Sequence, residues 1–398
     1  MIQRLTLTPI LLILIVICVG ALSLTAIWRD FDGRAFDILS TYDPPIPEEP
    51  GITIIAIDEP SMNAVGEQWP WPRFIHADLL KSLRSAGAKA VAFDIVFAEK
   101  SHPSDDIDFA RQALADTVFA TDETYIDNPN ASMWVRTEPL PILLSNGATT
   151  GVAGVRLDGD GVVRNLPSGE DRFMRVLLDT VRSADKGQDV KTDNRLIQYF
   201  GPNGSYPRAS YYQALDPEQY LPPQFFKDKV VIVGLSLQAS PDIDVDSKDA
   251  FQTSYTHKDG RLTYGAEIHA TIYDNYKNNL SIANPPRWFG FLLLALGAGL
   301  GALAMGLYKP SYRFAAGVFV LVGLFGISWL SLKYGRIWLS YMDLGAGALG
   351  VIGALSARDF ARERKMRGEI QGAFSQYLAP AMVDKIIADP SQLNLGGE

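Results

Sequence analysis

Asp58 and Asp94 each stand towards the end of an apolar run of strand length, ITIIAID at 52–58 and KAVAFDIVF at 89–97. Ser61 follows three residues after Asp58, and Arg73 directly follows Trp69-Pro70-Trp71-Pro72. In an open α/β sheet, ligands bind outside the carboxyl ends of the strands. Two carboxylates there, with Ser61, Trp71 and Arg73, could hold a cation, an amine or another small polar molecule. The same residues suit an internal salt bridge, turn capping and indole cover over the core edge. Both readings stay open at this level.

Other chemistries find less support. Gly234-Leu235-Ser236 lacks the flanking pattern of a nucleophile elbow, and no His and Asp spacing supports a serine hydrolase. Asp105, Asp106 and Asp108 lack the Gly and closing Glu of a calcium loop, and read instead as the acidic start of a helix running to 114. Asp242, Asp244 and Asp246 alternate along an extended segment, a weak calcium candidate and more often a solvated loop. His269 reads as a packed histidine rather than a ligand. No Gly-rich phosphate loop occurs. One cysteine, Cys18, excludes an internal disulfide or a cysteine zinc site, and four scattered histidines argue against a histidine metal centre. The expectation is no catalytic residue and no metal or cofactor held by this chain.

The elements that must position Asp58 and Asp94 alternate between strand and helix. Between the two apolar runs, Ile75, Leu79, Leu83 and Ala86 share a helical face that Gly87 ends, which makes a β–α–β unit. KVVIVGLS at 229–236 reads as a third buried strand, with further strands at 151–158 and 195–200. The DGDG of 157–165 suits a hairpin turn, and 263–278 a helix with Ile268, Ile272 and Tyr276 on one side. The fold class expected is an α/β domain around a mostly parallel sheet, joined to a transmembrane helical bundle and a coupling helix.

A mean hydropathy of +0.04 hides a segregated chain. Spans 10–28, 288–307, 314–332 and 337–357 are each about the 20 residues a bilayer requires. The first is longer than a signal-peptide core and reads as an uncleaved anchor behind a short 1–9 terminus. After the fourth come Arg358, Arg362, Arg364, Lys365 and Arg367, a cluster that places the C-terminus in the cytoplasm. Four spans then put the N-terminus inside and 29–286 outside. Lys309 and Arg313 in the inner turn agree, whereas Lys333 and Arg336 in the outer turn run against the bias. Glycines at 297, 299, 301, 345, 347, 350 and 353 suit close helix packing in a three-helix bundle. Asp343, six residues into the last span, reads as a capping or snorkelling carboxylate before a switch.

Between Arg29 and Pro286 there are 38 acidic against 24 basic residues, a net of −14 within a whole-chain net of −9. That acidic block argues against nucleic acid as a partner, because a nucleic-acid surface needs a basic footprint.

Phe36-Asp37, IAIDEPS, WPWPR and LRSAGAKAVAFDIVF, then LDGDGVVRN, QYFGP, FFKDKVVIVGLS and YGAEIHATIYDN, follow one another in an order that resembles the second type of CHASE sensor domain. The resemblance covers essentially all of 30–280, and three spans after the sensor match the usual arrangement. It implies an extracytoplasmic α/β sensor in a bacterial inner membrane, binding an unknown small molecule or ion. It supplies no ligand.

The tail AFSQYLAPAMVDKIIADPSQLNLGGE resembles the lead-in of a class III nucleotide cyclase domain, carried by Phe374, Tyr377, Leu378, Pro380, Val383 and the closing Leu395-Gly396-Gly397-Glu398. The family's two metal-binding aspartates, base-selecting pair and transition-state pair would follow Glu398. This polypeptide is therefore expected not to make cyclic nucleotide itself. The resemblance implies a homodimer, with Mg or Mn in the absent catalytic domain and adenine or guanine as the base, adenine being the commoner in the family. Met366, Ile370, Ala373 and Tyr377 are spaced 4-3-4, the seam of a short coiled coil, although an amphipathic helix fits as well. With Phe374 and Pro380 they form the expected coupling segment. A kinase or diguanylate cyclase output, a membrane scaffold ending at Glu398, and an outer-domain enzyme are the alternatives.

Overall fold

The computed structural model describes residues 2–46, 51–128, 131–182, 192–237, 249–307 and 312–374. In chain order the elements begin with α1 (Ile2–Ser23), α2 (Ala26–Ser40), β1 (Ile52–Ile57), α3 (Glu59–Val65), α4 (Arg73–Ser85), β2 (Ala90–Phe93) and α5 (Pro103–Gln112). There follow β3 (Thr117–Asn128), β4 (Ala131–Thr137), β5 (Thr149–Val152), β6 (Val162–Val163), α6 (Phe173–Arg182), β7 (Arg195–Leu196), β8 (Arg208–Ser210), α7 (Tyr211–Leu215) and α8 (Pro217–Tyr220). The remainder is β9 (Val230–Leu235), β10 (Ala250–Thr253), α9 (Thr256–Asp259), β11 (Thr263–Tyr264), α10 (Gly265–Lys277), β12 (Ile282–Ala283), α11 (Arg287–Leu307), α12 (Arg313–Leu330) and α13 (Tyr341–Phe374). Two units result: Arg29–Pro286 with Trp329–Leu339, and the terminal and apolar-helix segments.

In the first unit the main sheet runs β4-β3-β2-β9-β1-β8, with β5 also beside β3. Every pairing is parallel except β3 with β4. A parallel sheet is covered on both faces, so its central strands are largely apolar, and all six residues of β1 are buried, Thr53 among them. Alternation sends Ile55, Ile57, Val91, Phe93, Val231 and Val233 into the core beneath α4 and α5. Ile52, Ile54, Ala90, Ala92 and Ile232 point the other way, into the core beneath α6 and α10. Each large side chain so buried contributes about 1.5–3 kcal/mol. Phe93, Phe97, Phe109 and Phe119 form an aromatic knot with ring centroids 5.1–5.7 Å apart.

Several expectations shift in detail. β2 is only four residues long, because the chain leaves the sheet at Asp94. The 195–200 run pairs for two residues, with β12 rather than the main sheet. Beyond them Gln198 N–H donates to Asn275 Oδ1 at 2.9 Å, and Asn275 Nδ2 donates back to Gln198 O at 2.9 Å, so a side chain takes the place of a strand. In 151–158 the strand is Thr149–Val152. The DGDG turn forms as expected, with Gly161 at φ +79°. β3 and β4 also pair as an antiparallel hairpin, which the sequence does not signal because TDETYIDN is too polar to read as a strand.

In the second unit, α11 packs against α13 where Gly297 faces the backbone of Leu344 and Gly347 faces that of Leu294. A Cβ at either glycine would collide with the opposing carbonyl, which is the close approach small residues permit. Among the described residues two helices are long and apolar enough to cross a membrane, at Arg287–Gly306 and Arg313–Gly335, and a third if the bent α1–α2 pair counts as one span. The apolar helix expected from 337 begins instead at Tyr341, because Ile337–Leu339 belong with the α/β unit. Asp343 Oδ1 accepts from Trp28 Nε1 at 3.0 Å, a tie between helices of this unit.

Candidate functional site

The five residues singled out around Asp58 and Asp94 fall into three groups of partners, the first two of which meet at Tyr211. Asp58 caps α3: its Oδ1 accepts from Ser61 N at 3.0 Å and Ser61 Oγ at 2.5 Å, and its Oδ2 from Ser210 Oγ at 2.6 Å. Ser61 Oγ in turn accepts from Tyr211 N at 2.9 Å. The pair braces β1, α3 and α7, as a side-chain oxygen at a helix start does.

Trp71 is 1% exposed and packs 4.7 Å from Tyr211 and 5.2 Å from Trp69. Its indole N–H has no partner among the described residues. Arg73 lies over Phe97 at 4.5 Å, donates to Glu99 O at 3.3 Å and approaches Asp106 at 4.0 Å. Burial lowers its pKa, with Asp106 opposing. Asp106 thus joins the acidic first turn of α5 to the core. His76 lies in the same core, and burial pulls its pKa down to about 3, so it is neutral beside the Tyr211 hydroxyl 2.7 Å away.

Asp94 lies on the opposite face from Arg73. Phe93 points into the α4–α5 core, so the next residue turns to the α6–α10 side. There Asp94 Oδ1 meets His269 Nε2 at 3.5 Å. Asp58 and Asp94 are also separated by β9, about two strand spacings of roughly 4.8 Å each. The sheet therefore does not assemble Asp58, Arg73 and Asp94 around one ligand.

It assembles a different set. Asp94, Asp249 and His269 line a cleft of about 220 Å³ with Thr121, Asp122, Val96, Val155 and Phe251. The cleft opens at the carboxyl ends of β2 and β5, the position general to such sheets. Gly234 lets α10 come close, since a Cβ there would lie 2.9 Å from Ala266 Cβ and 3.3 Å from Asp94 Cβ. His269 packs 5.3 Å from the Phe173 ring. Burial pulls its pKa down, but the Asp94 carboxylate outweighs this and the net shift is upward. Burial, with the like charge of Asp94, pushes Asp249 up to about 7. Asp94 Oδ2 and His269 Nδ1 are buried without a partner among the described residues. No three-carboxylate or histidine group suited to a metal occurs among them either.

His269 is thus packed, as the sequence suggested, and also lines the cleft. Asp249 carried no sequence signal of its own, being the last of an acidic run. Asp242, Asp244 and Asp246 lie outside the described residues, as do Tyr377 and Pro380. Met366 is exposed on α13, and Ile370, Ala373 and Phe374 lie on the same helix.

The motif residues of the α/β unit mostly hold the fold. Arg164 of LDGDGVVRN is buried against Asp37, Asp158 and Asp160 at 2.7–3.0 Å. Glu267 of YGAEIHATIYDN accepts from Gly204 N at 2.8 Å and Ser205 N at 2.9 Å, and Asp274 accepts from the Tyr206 hydroxyl at 3.0 Å.

Comparison with known proteins found no match among curated proteins and none among solved structures. The family model for the CHASE2 domain matches residues 11–307, about three quarters of the chain. With its parallel sheet, its buried motif residues and its apolar helices, the chain belongs to the CHASE2 family of extracellular sensor domains.

Proposed function

We propose that the chain is the sensing and membrane portion of a bacterial receptor whose output is a class III adenylate cyclase. The α/β unit lies outside the inner membrane, four spans anchor it, and both termini are cytoplasmic. A small molecule or ion in the Asp94–Asp249–His269 cleft biases the geometry of a homodimer. In the complete protein, two catalytic domains meeting beneath the membrane would convert ATP to 3′,5′-cyclic AMP and pyrophosphate, with Mg or Mn supplied there.

One observation carries the coupling. α13 is a single helix from Tyr341 to Phe374, running through Arg358, Arg362, Arg364, Lys365 and Arg367 without a break. Its 34 residues make a rod of about 50 Å. Such a rod passes a rotation or shift at its start to its far end at Phe374, from which the sequence leads on to Tyr377-Leu378-Ala379-Pro380. Two discrete arrangements of the dimer would make a small shift decisive.

The test is expression of the natural reading frame in a bacterium deleted for its own cyclase, with nucleotides measured by mass spectrometry. Cyclic AMP accumulation is expected, and cyclic GMP would change the base assignment. Cyclic di-GMP or a phosphohistidine would favour the rival outputs. Absence of all of these would leave a catalytically empty sensor.

A further inference from the structure

The outer turn between α12 and α13 holds the two cations, Lys333 and Arg336, that run against the usual charge bias. Both line a cavity of about 270 Å³, formed with Tyr42, Asp43, Gln198 and Trp329. All of it lies within the α/β unit, to which Trp329–Leu339 belongs.

Among the described residues the charges in this cavity do not balance. Asp43, the carboxylate among its lining residues, is already paired with Lys333. Arg336 Nη1 donates to the neutral Gln198 Oε1 at 3.3 Å. Burial alone is the cause acting on its pKa, and lowers it. Arg164 shows the contrast, since three carboxylates surround that more deeply buried guanidinium. A half-buried cation with no counter-charge among the described residues is costly unless an anion arrives.

The backbone holds Arg336 in place for one. It has φ +52°, a conformation unusual outside glycine, and its carbonyl accepts from Ala283 N at 2.7 Å. Sparsely populated backbone of this kind clusters at ligand clamps. Lys333 Nζ lies 5.2 Å from the Trp329 ring, and Tyr42 packs 6.1 Å from Trp329. A guanidinium fork beside an ammonium matches the oxygens of a phosphate. Tyr and Trp rings beside them are the side chains of a membrane–water boundary.

We propose that this cavity binds a phosphate-bearing anion through Arg336 and Lys333. The phosphate comes from a lipid headgroup or from a soluble phosphate, and the lipid source rests on the reading of α12 as a span that ends at this turn.

The test uses the full chain and two probes. Melting is followed in nanodiscs of phosphatidylcholine alone, or of equal parts phosphatidylcholine and phosphatidylglycerol, and separately in detergent with inorganic phosphate. The wild type is expected to melt about 3 °C higher with phosphatidylglycerol and to retain that lipid in native mass spectrometry. Arg336→Gln and Lys333→Gln should each abolish the shift, while Arg111→Gln, a distant exposed cation, keeps it. Stabilisation by inorganic phosphate alone, lost in the same variants, would assign a soluble phosphate. If Arg336→Gln does not fold, Lys333→Gln carries the comparison. A wild type that responds to neither probe, or variants that respond as it does, would overturn the site. Because no nucleotide is measured, failure here leaves the cyclase reading untouched, and failure of that reading leaves this site.

Discussion

Asp37 and Arg164, 127 residues apart, close a buried two-pronged ion pair, with Nε–Oδ1 at 2.8 Å and Nη2–Oδ2 at 2.7 Å. It ties α2 to the Asp158–Gly161 turn, which adds Asp158 and Asp160 to the same guanidinium. Burial pulls the Arg164 pKa down, but these hydrogen bonds outweigh it and the net shift is upward.

Removing one side of a buried pair strands the other charge. Arg164→Ala should therefore destabilise the α/β unit by about 3–5 kcal/mol. Chemical denaturation of the full chain in detergent, followed by circular dichroism, measures it. A loss of only a few tenths would mean that water already reaches the cluster.

His269 gains its charge from Asp94. Asp94→Asn removes the attraction and leaves burial, so the His269 pKa should fall. In the wild type this contact stabilises below the ordinary histidine value of 6.5, and its support is lost as pH rises through the elevated folded value. Hydrogen–deuterium exchange at the imidazole C2 reads the titration in both proteins. An unchanged midpoint would separate the two side chains.

Burial raises Asp274 from 3.8 to about 6. The native carboxyl keeps its proton where the unfolded one has lost it, so stability falls as pH rises from about 4 to about 6 and stays lower above. Asp274→Asn still accepts from Tyr206 and carries no charge. It should flatten that slope and raise the melting temperature at pH above about 7. Parallel melting curves for the two proteins across this range would contradict the assignment.

Trp338 is 4% exposed, packs 5.4 Å from Phe36, and donates from Nε1 to Asp32 Oδ2 at 3.1 Å. Trp338→Ala should cost about 3–5 kcal/mol through the cavity it opens. It should also expose the turn before α13 to protease. Trp338→Phe, which keeps most of the volume, should cost about 1 kcal/mol for the lost hydrogen bond. Limited proteolysis and denaturation together tell the two effects apart.

A cysteine at Ala373, in a Cys18→Ser background, should cross-link in membranes far more readily than one at Glu369. The comparison tests the 4-3-4 seam of Met366, Ile370, Ala373 and Tyr377 directly. Equal cross-linking would reduce the segment to an ordinary amphipathic helix.

What the sequence determined by itself is local and periodic. β1 and β9 are legible because a strand buried on both faces is almost wholly apolar, and α4 because its apolar residues recur at helical spacing. The DGDG turn is legible because Gly161 takes a backbone conformation that other residues avoid. The order of the motifs sufficed for the family. Which face Asp94 turns to was not legible, since it depends on where β2 ends and the alternation stops. Nor was the company it keeps: Asp249 and His269 arrive from more than 150 residues away, His269 on α10, which Gly234 lets close on the sheet, and Asp249 beside Gly265 at the start of that helix. Arg73 and Arg336 likewise gained their meaning from burial, a property of the whole fold. A side chain's chemistry is written in its type, but its charge state and its neighbours are set by what the packed chain excludes from water.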